Sequence, residues 1–292
     1  MFAGTYTALV TPFKNDRVDE AAFARLIEGQ IAGGITGIEP VGTTGESPTL
    51  SHEEHIHVLE LAVKTAAGRC QVIGGAGSNS TAEAVEMTQH AARVGCDATL
   101  QIAPYYNKPS QEGLFRHFAK IAEATDLPVI LYSIPGRCGI EIAVETTVRL
   151  AKACPTIVAI KEAGGSVERV SALRAVLPPE FVILSGDDSL TLPFIAAGAN
   201  GVISVAANIV PRAVVDLVKA ANAGNFVQAR NLHFHWYSLF KDLFIEPNPV
   251  PAKHALALRG EMLADVRLPL CEMAGATRAK LETTLRNLQL IS

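Results

Sequence analysis

Short, nearly continuous apolar runs alternate along this chain with longer amphipathic stretches. The runs fall at residues 4–10, 35–41, 70–76, 98–103, 128–134, 156–160, 181–184 and 201–205, and each is followed by a segment with helical periodicity. Strands that are apolar on both faces are the signature of a parallel sheet covered by helices. Eight strand and helix units of this length close into a barrel. A doubly wound sheet usually carries fewer strands and a glycine fingerprint after the first, and no GxGxxG follows residues 4–10. The pattern therefore predicts an α/β fold, a (β/α)8 TIM barrel over residues 1–224, with a C-terminal helical appendage over residues 225–292. Helix starts are marked by a Ser51/Glu54 capping box, by Thr81 and Ser110 as N-caps, and by Pro211 in a first helical turn.

Composition narrows the function classes. The 292 residues are 49% hydrophobic and 18% charged, enough to bury one large core without a linker between two domains. A formal net charge of −4 with no basic block speaks against nucleic acid as a partner. The first ten residues lack a basic segment followed by a long apolar one, and no run reaches about eighteen uncharged apolar residues. The expectation is a cytoplasmic protein without a membrane span. Cys70, Cys96, Cys138, Cys154 and Cys271 are odd in number and form no CxxC pair, so reduced, mostly buried thiols are expected.

In such a barrel the active site lies at the C-terminal ends of the strands. There the chain places Gly42-Thr43-Thr44-Gly45-Glu46, Pro104-Tyr105-Tyr106-Asn107, Tyr132-Ser133-Ile134-Pro135-Gly136-Arg137, Lys161-Glu162 and Ser185-Gly186-Asp187-Asp188. Lys161 closes a buried run; a position of that kind desolvates an amine, and the neutral amine is the form that attacks a carbonyl. The alternative is a lysine that snorkels to solvent or pairs with Glu162. Thr43 and Thr44 sit in a glycine-flanked turn whose amides and hydroxyls can bind a carboxylate or relay a proton, or form a plain loop. Tyr132 serves as an acid or base only with relaying partners. Arg137 offers a planar fork to a carboxylate, or is a solvated surface residue. His52, His55 and His57 miss the HExxH spacing and His233 and His235 supply no site by themselves, so no metal is expected.

Together with Ile160-Lys161-Glu162-Ala163, Gly201-Val202-Ile203-Ser204 and Glu246-Pro247-Asn248-Pro249, these motifs make nearly the whole chain resemble the dihydrodipicolinate synthase/N-acetylneuraminate lyase superfamily of class I aldolases. Paired threonines and Arg137 favour the synthase branch. The resemblance implies condensation of pyruvate with aspartate semialdehyde, for diaminopimelate and lysine biosynthesis, with no cofactor. Lys161 would form the imine and Tyr132 relay protons, with Thr43 linking Tyr132 to a Tyr106 from a neighbouring subunit. Thr44 would hold the pyruvate carboxylate and Arg137 that of the semialdehyde, with the backbones of Gly186 and Ile203 lining the pocket. A homotetramer, a dimer of dimers, is implied. Ser47, His52, His55, Asn79, Glu83 and Tyr105 correspond to a site for inhibitory lysine. Ser133, Cys138 and Pro48 depart from the family's pattern beside the carboxylate-binding loop. Two other readings stay open: a sibling aldolase acting on a sugar acid or hydroxy-oxo acid, and a catalytically silent barrel that binds a keto acid.

Overall fold

The computed structural model describes residues 2–292. Eight parallel strands among these residues close into a barrel: β1 (Gly4–Ala8), β2 (Gly37–Glu39), β3 (Gln71–Gly75), β4 (Ala98–Ile102), β5 (Val129–Ser133), β6 (Ile157–Glu162), β7 (Val182–Ser185) and β8 (Gly201–Ser204). Closure is made where β1 pairs with β8 through Gly4↔Gly201 and with β2 through Ala8↔Glu39. The helices α1 (Glu20–Gly33), α2 (His52–Ala66), α3 (Thr81–Val94), α4 (Gln111–Ala122), α5 (Val144–Ala153), α6 (Val167–Val176), α7 (Thr191–Ala196) and α8 (Pro211–Asn222) follow the strands in turn. This is the predicted TIM barrel.

Period-two alternation divides each strand between two cores. Ile130, Ala159, Val182, Leu184 and Val202 belong to a buried cluster with Tyr6 and Ala8, while Leu131, Ile160 and Ile183 pack with Leu114, Phe118 and Phe194 of the helices. Each such buried aliphatic side chain contributes about 1.5–3 kcal/mol of transfer free energy. The same alternation sorts polar residues: Gln101 points outward to Thr88 on α3, and Glu162 outward to Arg169 on α6.

Helix starts follow from side-chain caps. Ser51 and Glu54 form the expected capping box, Ser110 caps α4, and α8 begins at Pro211. Thr81 is not a cap. Ser80 accepts from the Glu83 amide instead, and the Thr81 hydroxyl is hydrogen-bonded to His117 Nδ1 at 2.9 Å, a partner outside its own turn. A short antiparallel pair, Phe13–Lys14 with Arg17–Val18, lies between β1 and α1.

Beyond the barrel come α9 (Phe226–Asp242), α10 (Val250–Leu258) and α11 (Gly275–Asn287). They are not a detached layer. Lys253 on α10 is fully buried and donates to Glu46 Oε1 at 2.5 Å, with its ammonium 4.2 Å from the centre of the Phe13 ring. Glu46 also accepts the Arg267 amide at 3.1 Å. No helix of the described residues is long and apolar enough to cross a membrane.

Candidate active site

Lys161 lies inside β6 rather than at its end, since the strand continues through Glu162. Alternation turns the two residues to opposite faces. Glu162 is fully buried on the helix side, where it accepts from the Gly164 amide and from Arg169 Nε, each at 2.7 Å. Burial raises its carboxyl, and Arg169 draws it back down. The pairing of Lys161 with Glu162 considered from sequence is thus replaced by a Glu162–Arg169 pair. Lys161, 5% exposed, faces the barrel interior. Its ammonium stands 4.3 Å from the centre of the Tyr132 ring, one strand away in direct register. On the other side is Gly186: a Cβ there would come within 3.3 Å of Lys161 Cε and 2.6 Å of Ala163 Cβ, so only glycine leaves the lysine's flank clear.

The β2 loop supplies the threonines. Val41 and Glu46 take positive φ, 53° and 56°, and fold the chain tightly around Gly42-Thr43-Thr44-Gly45. Thr44 is buried and receives a hydrogen bond from Asn248 Nδ2 at 2.9 Å, a contact from the far end of the chain. Thr43 and Tyr132 line one cavity of about 270 Å³. Ile203 is buried on β8. Beside it Asp188 accepts from the Ser204 hydroxyl and from the Val205 and Ala206 amides, at 3.1 and 2.9 Å, which ties the β7 loop to the end of β8. Burial pushes the Asp188 carboxyl up to about 6.

Lys161, Thr44, Gly186 and Ile203 are not among the residues that line this cavity, and two further expected site residues lie exposed outside it. Arg137 is exposed in the short helix Pro135–Cys138 that follows β5. Tyr106 is 90% exposed with φ of 72°, a backbone conformation that favours glycine. The departures at positions 133 and 138 are both interior. Ser133 accepts the Ile142 amide at 3.4 Å, and burial pushes the Cys138 thiol up to about 11. Among the described residues all five cysteines are unpaired, three of them buried.

Ser47, His52, His55, Glu83 and Tyr105 line the same cavity as Thr43 and Tyr132. His52 Nε2 meets Glu83 Oε1 at 2.7 Å, and the Ser78 hydroxyl donates to the other oxygen; these contacts hold the Glu83 carboxyl below its usual range. His55 is buried, which pulls its imidazole down to about 4. Asn79 is engaged elsewhere, donating to the Tyr105 carbonyl at 3.2 Å. The described residues contain no group of three or more His, Cys, Asp or Glu placed to hold a metal ion.

Sequence reading missed Glu39. It is 1% exposed and inward-facing on β2, it lines the cavity with Tyr132, and burial pushes its carboxyl up to about 8 against the pull of Lys161. The available signal was a lone carboxylate inside the apolar run 35–41. Lys253 was missed for the same reason, as a charge inside an apolar helix.

Known proteins resemble this chain over its whole length in both sequence and fold. A 4-hydroxy-tetrahydrodipicolinate synthase of Citrifermentans bemidjiense is 50% identical over 291 residues, covering all of both chains. The structure of the 4-hydroxy-tetrahydrodipicolinate synthase from Methylacidiphilum fumariolicum SolV superposes with a TM-score of 0.98 at 53% identity, over 99% of this chain and 96% of that one. A chloride-inhibited dihydrodipicolinate synthase from Acinetobacter baumannii, complexed with pyruvate, gives a TM-score of 0.97 at 42% identity over the whole of both chains. The description "Dihydrodipicolinate synthetase family" matches residues 1–288, and the chain belongs to that family.

Proposed function

We propose that this protein is a Schiff-base lyase, a 4-hydroxy-tetrahydrodipicolinate synthase, that condenses pyruvate with L-aspartate 4-semialdehyde in the diaminopimelate and lysine pathway. The observation that carries the reading is Lys161: buried inside β6 one residue before that strand ends, outside any ion pair among the described residues, with the Tyr132 ring 4.3 Å away. Family membership and the pyruvate complex of a relative 42% identical support the same substrate.

In this reading Lys161 Nζ attacks the keto carbon of pyruvate and the carbonyl oxygen leaves as water. The resulting iminium is the electron sink that acidifies the methyl carbon, which then attacks the aldehyde. Tyr132, with Thr43, carries protons to and from the carbinolamine. Thr44, pinned by Asn248, and the backbones of Gly186 and Ile203 hold pyruvate, and Arg137 takes the second carboxylate at the rim. Tyr106 completes the proton relay of a second subunit. Its 90% exposure on a loop with positive φ supports that role, and with it a homotetramer built as a dimer of dimers; this reading takes the protein as cytoplasmic. Residues 1–224 form the catalytic barrel and residues 225–292 its buttress. The cavity lined by Ser47, His52, His55, Glu83 and Tyr105 is the receptor for lysine as inhibitor, with Glu83 receiving an amino group.

Borohydride added with pyruvate is expected to label Lys161 covalently, and Lys161→Ala to abolish the label. An unlabelled wild-type protein refutes the reading. A coupled assay with aspartate semialdehyde, against cleavage of N-acetylneuraminate or 2-keto-3-deoxygluconate, separates the synthase from its sibling lyases.

A further inference from the structure

Glu39 is a carboxyl that the chemistry proposed above leaves unused. It follows Gly37 on the inward face of β2, and its Oε1 has no hydrogen-bond partner among the described residues. A Cβ on Gly42 would fall 2.1 Å from that oxygen, so the carboxyl lies against the turn that opens the Thr43-Thr44 motif. Lys161 from β6 acts on its charge, and the titratable groups that share its cavity come from several elements: Tyr132 from β5, His52 and His55 from α2, Glu83 from α3 and Tyr105 from the β4 loop. Tyr6 of β1 turns its phenol away, to Gln71 Oε1 at 2.5 Å.

An unpartnered carboxyl inside a closed barrel weakens a fold, and an aliphatic side chain packs better there. Imine formation gives it a use. The Lys161 nitrogen and the keto carbon form C=N, the oxygen leaves as water, and the nitrogen must gain a proton to become the electron sink. That places a positive charge in a water-poor interior. A carboxyl that loses its proton as the imine gains one keeps the interior neutral overall, with no proton taken from solvent. Burial holds the Glu39 carboxyl up to about 8, so it enters the reaction protonated at neutral pH.

We propose that Glu39 is the counter-charge of the Lys161 iminium, a positioning residue that raises the imine's hold on its proton. The proposal rests on the Schiff-base reading of Lys161, and its test separates the two. Wild-type protein, Glu39→Gln, Glu39→Asp and Glu39→Val are treated with pyruvate and borohydride across the neutral and alkaline range, with thermal unfolding measured alongside. The other side chains that line the cavity are the same in all four proteins, so differences between profiles report Glu39.

The expected result is an alkaline midpoint of trapping about one pH unit or more lower in the Gln and Val variants, a tenfold weaker hold on the imine proton. Glu39→Asp should fall between them and wild type. Glu39→Val should unfold at the same temperature as wild type or above it, which a merely structural carboxylate would not allow. Equal midpoints in wild type, Glu39→Gln and Glu39→Asp overturn the proposal even if Glu39→Val fails to fold. An untrapped wild type overturns the reading of Lys161 itself.

Discussion

Lys161 and Lys253 are two lysines buried in one molecule, and they are buried differently. Each ammonium lies over an aromatic ring, at 4.3 Å from Tyr132 and 4.2 Å from Phe13. Lys253 has Glu46 at 2.5 Å, and its ordinary basicity is pulled down by burial and restored in part by that carboxylate. Lys161 has no such partner among the described residues, and the nearby Glu39 carboxyl is held protonated at neutral pH by burial. A lysine clamped by a carboxylate is an ammonium fixed in place and useful as a strut. A lysine that no carboxylate clamps is left free to serve as the nucleophile.

The sharpest way to break this comparison is to replace each lysine with methionine. Lys161→Met should lower turnover by roughly three orders of magnitude or more, because a covalent step loses its nucleophile. Its melting temperature should stay the same or rise, since an unpaired buried amine is exchanged for an apolar chain. Lys253→Met should do the reverse. It strands Glu46 without its counter-ion, a loss of about 3–5 kcal/mol, or roughly 10 °C in Tm for a chain of this size, while the folded fraction still traps pyruvate at Lys161. Thermal unfolding and trapping of both variants decide the matter; a Lys253→Met protein as stable as wild type would remove the distinction.

A smaller effect tests whether the strut region reaches the chemistry. Asn248 donates to Thr44 across 204 positions of sequence, next to the helix that carries Lys253. Asn248→Ala should raise KM for pyruvate by about tenfold, the equivalent of one lost buried hydrogen bond. The kcat should change little, because Thr44 is assigned to binding rather than to proton transfer. A loss confined to kcat would move Thr44 into the proton relay.

Local chemistry made most of the barrel legible. Eight apolar runs and their caps predict the strands and helices because a parallel strand buried on both faces needs no distant information. Lys161 and Tyr132 stood out because polar residues closing apolar runs gather at one mouth. Distance along the chain hid the rest. Neither the Lys253–Glu46 pair nor the Asn248–Thr44 bond can be read from periodicity, since their partners lie 207 and 204 positions apart. Thr81 was read as a cap because serine and threonine both suit the site, and only the His117 contact assigns the role to Ser80. Glu39 was passed over because a carboxylate in an apolar run reads as an interruption until the alternation of β2 turns it inward.

The least effect expected is in the pH dependence of stability, where the two lysine environments should differ in sign. The Glu39 carboxyl is raised from an ordinary 4.5 to about 8, so the folded state binds its proton more tightly than the unfolded chain does. Its contribution is therefore fully present below about 4.5 and is lost as pH rises through about 8. Glu39→Gln keeps a neutral group at every pH, so above pH 6.5, where the buried histidines no longer contribute, the Tm of this variant should hold level while that of wild type declines toward pH 8. The difference should be a few degrees, about what one or two kcal/mol produces. Glu46→Gln removes a carboxylate that is paired, so it should lower Tm across the whole window without flattening the slope. His55 and His117, both pulled down to about 4 by burial, take stability away as pH falls from 6.5 toward 4 in all three proteins. Their acid limb is the internal control. Parallel profiles for wild type and Glu39→Gln above pH 6.5 would mean that Glu39 is already ionised beside Lys161, making the reactive lysine a strut of the same kind as Lys253.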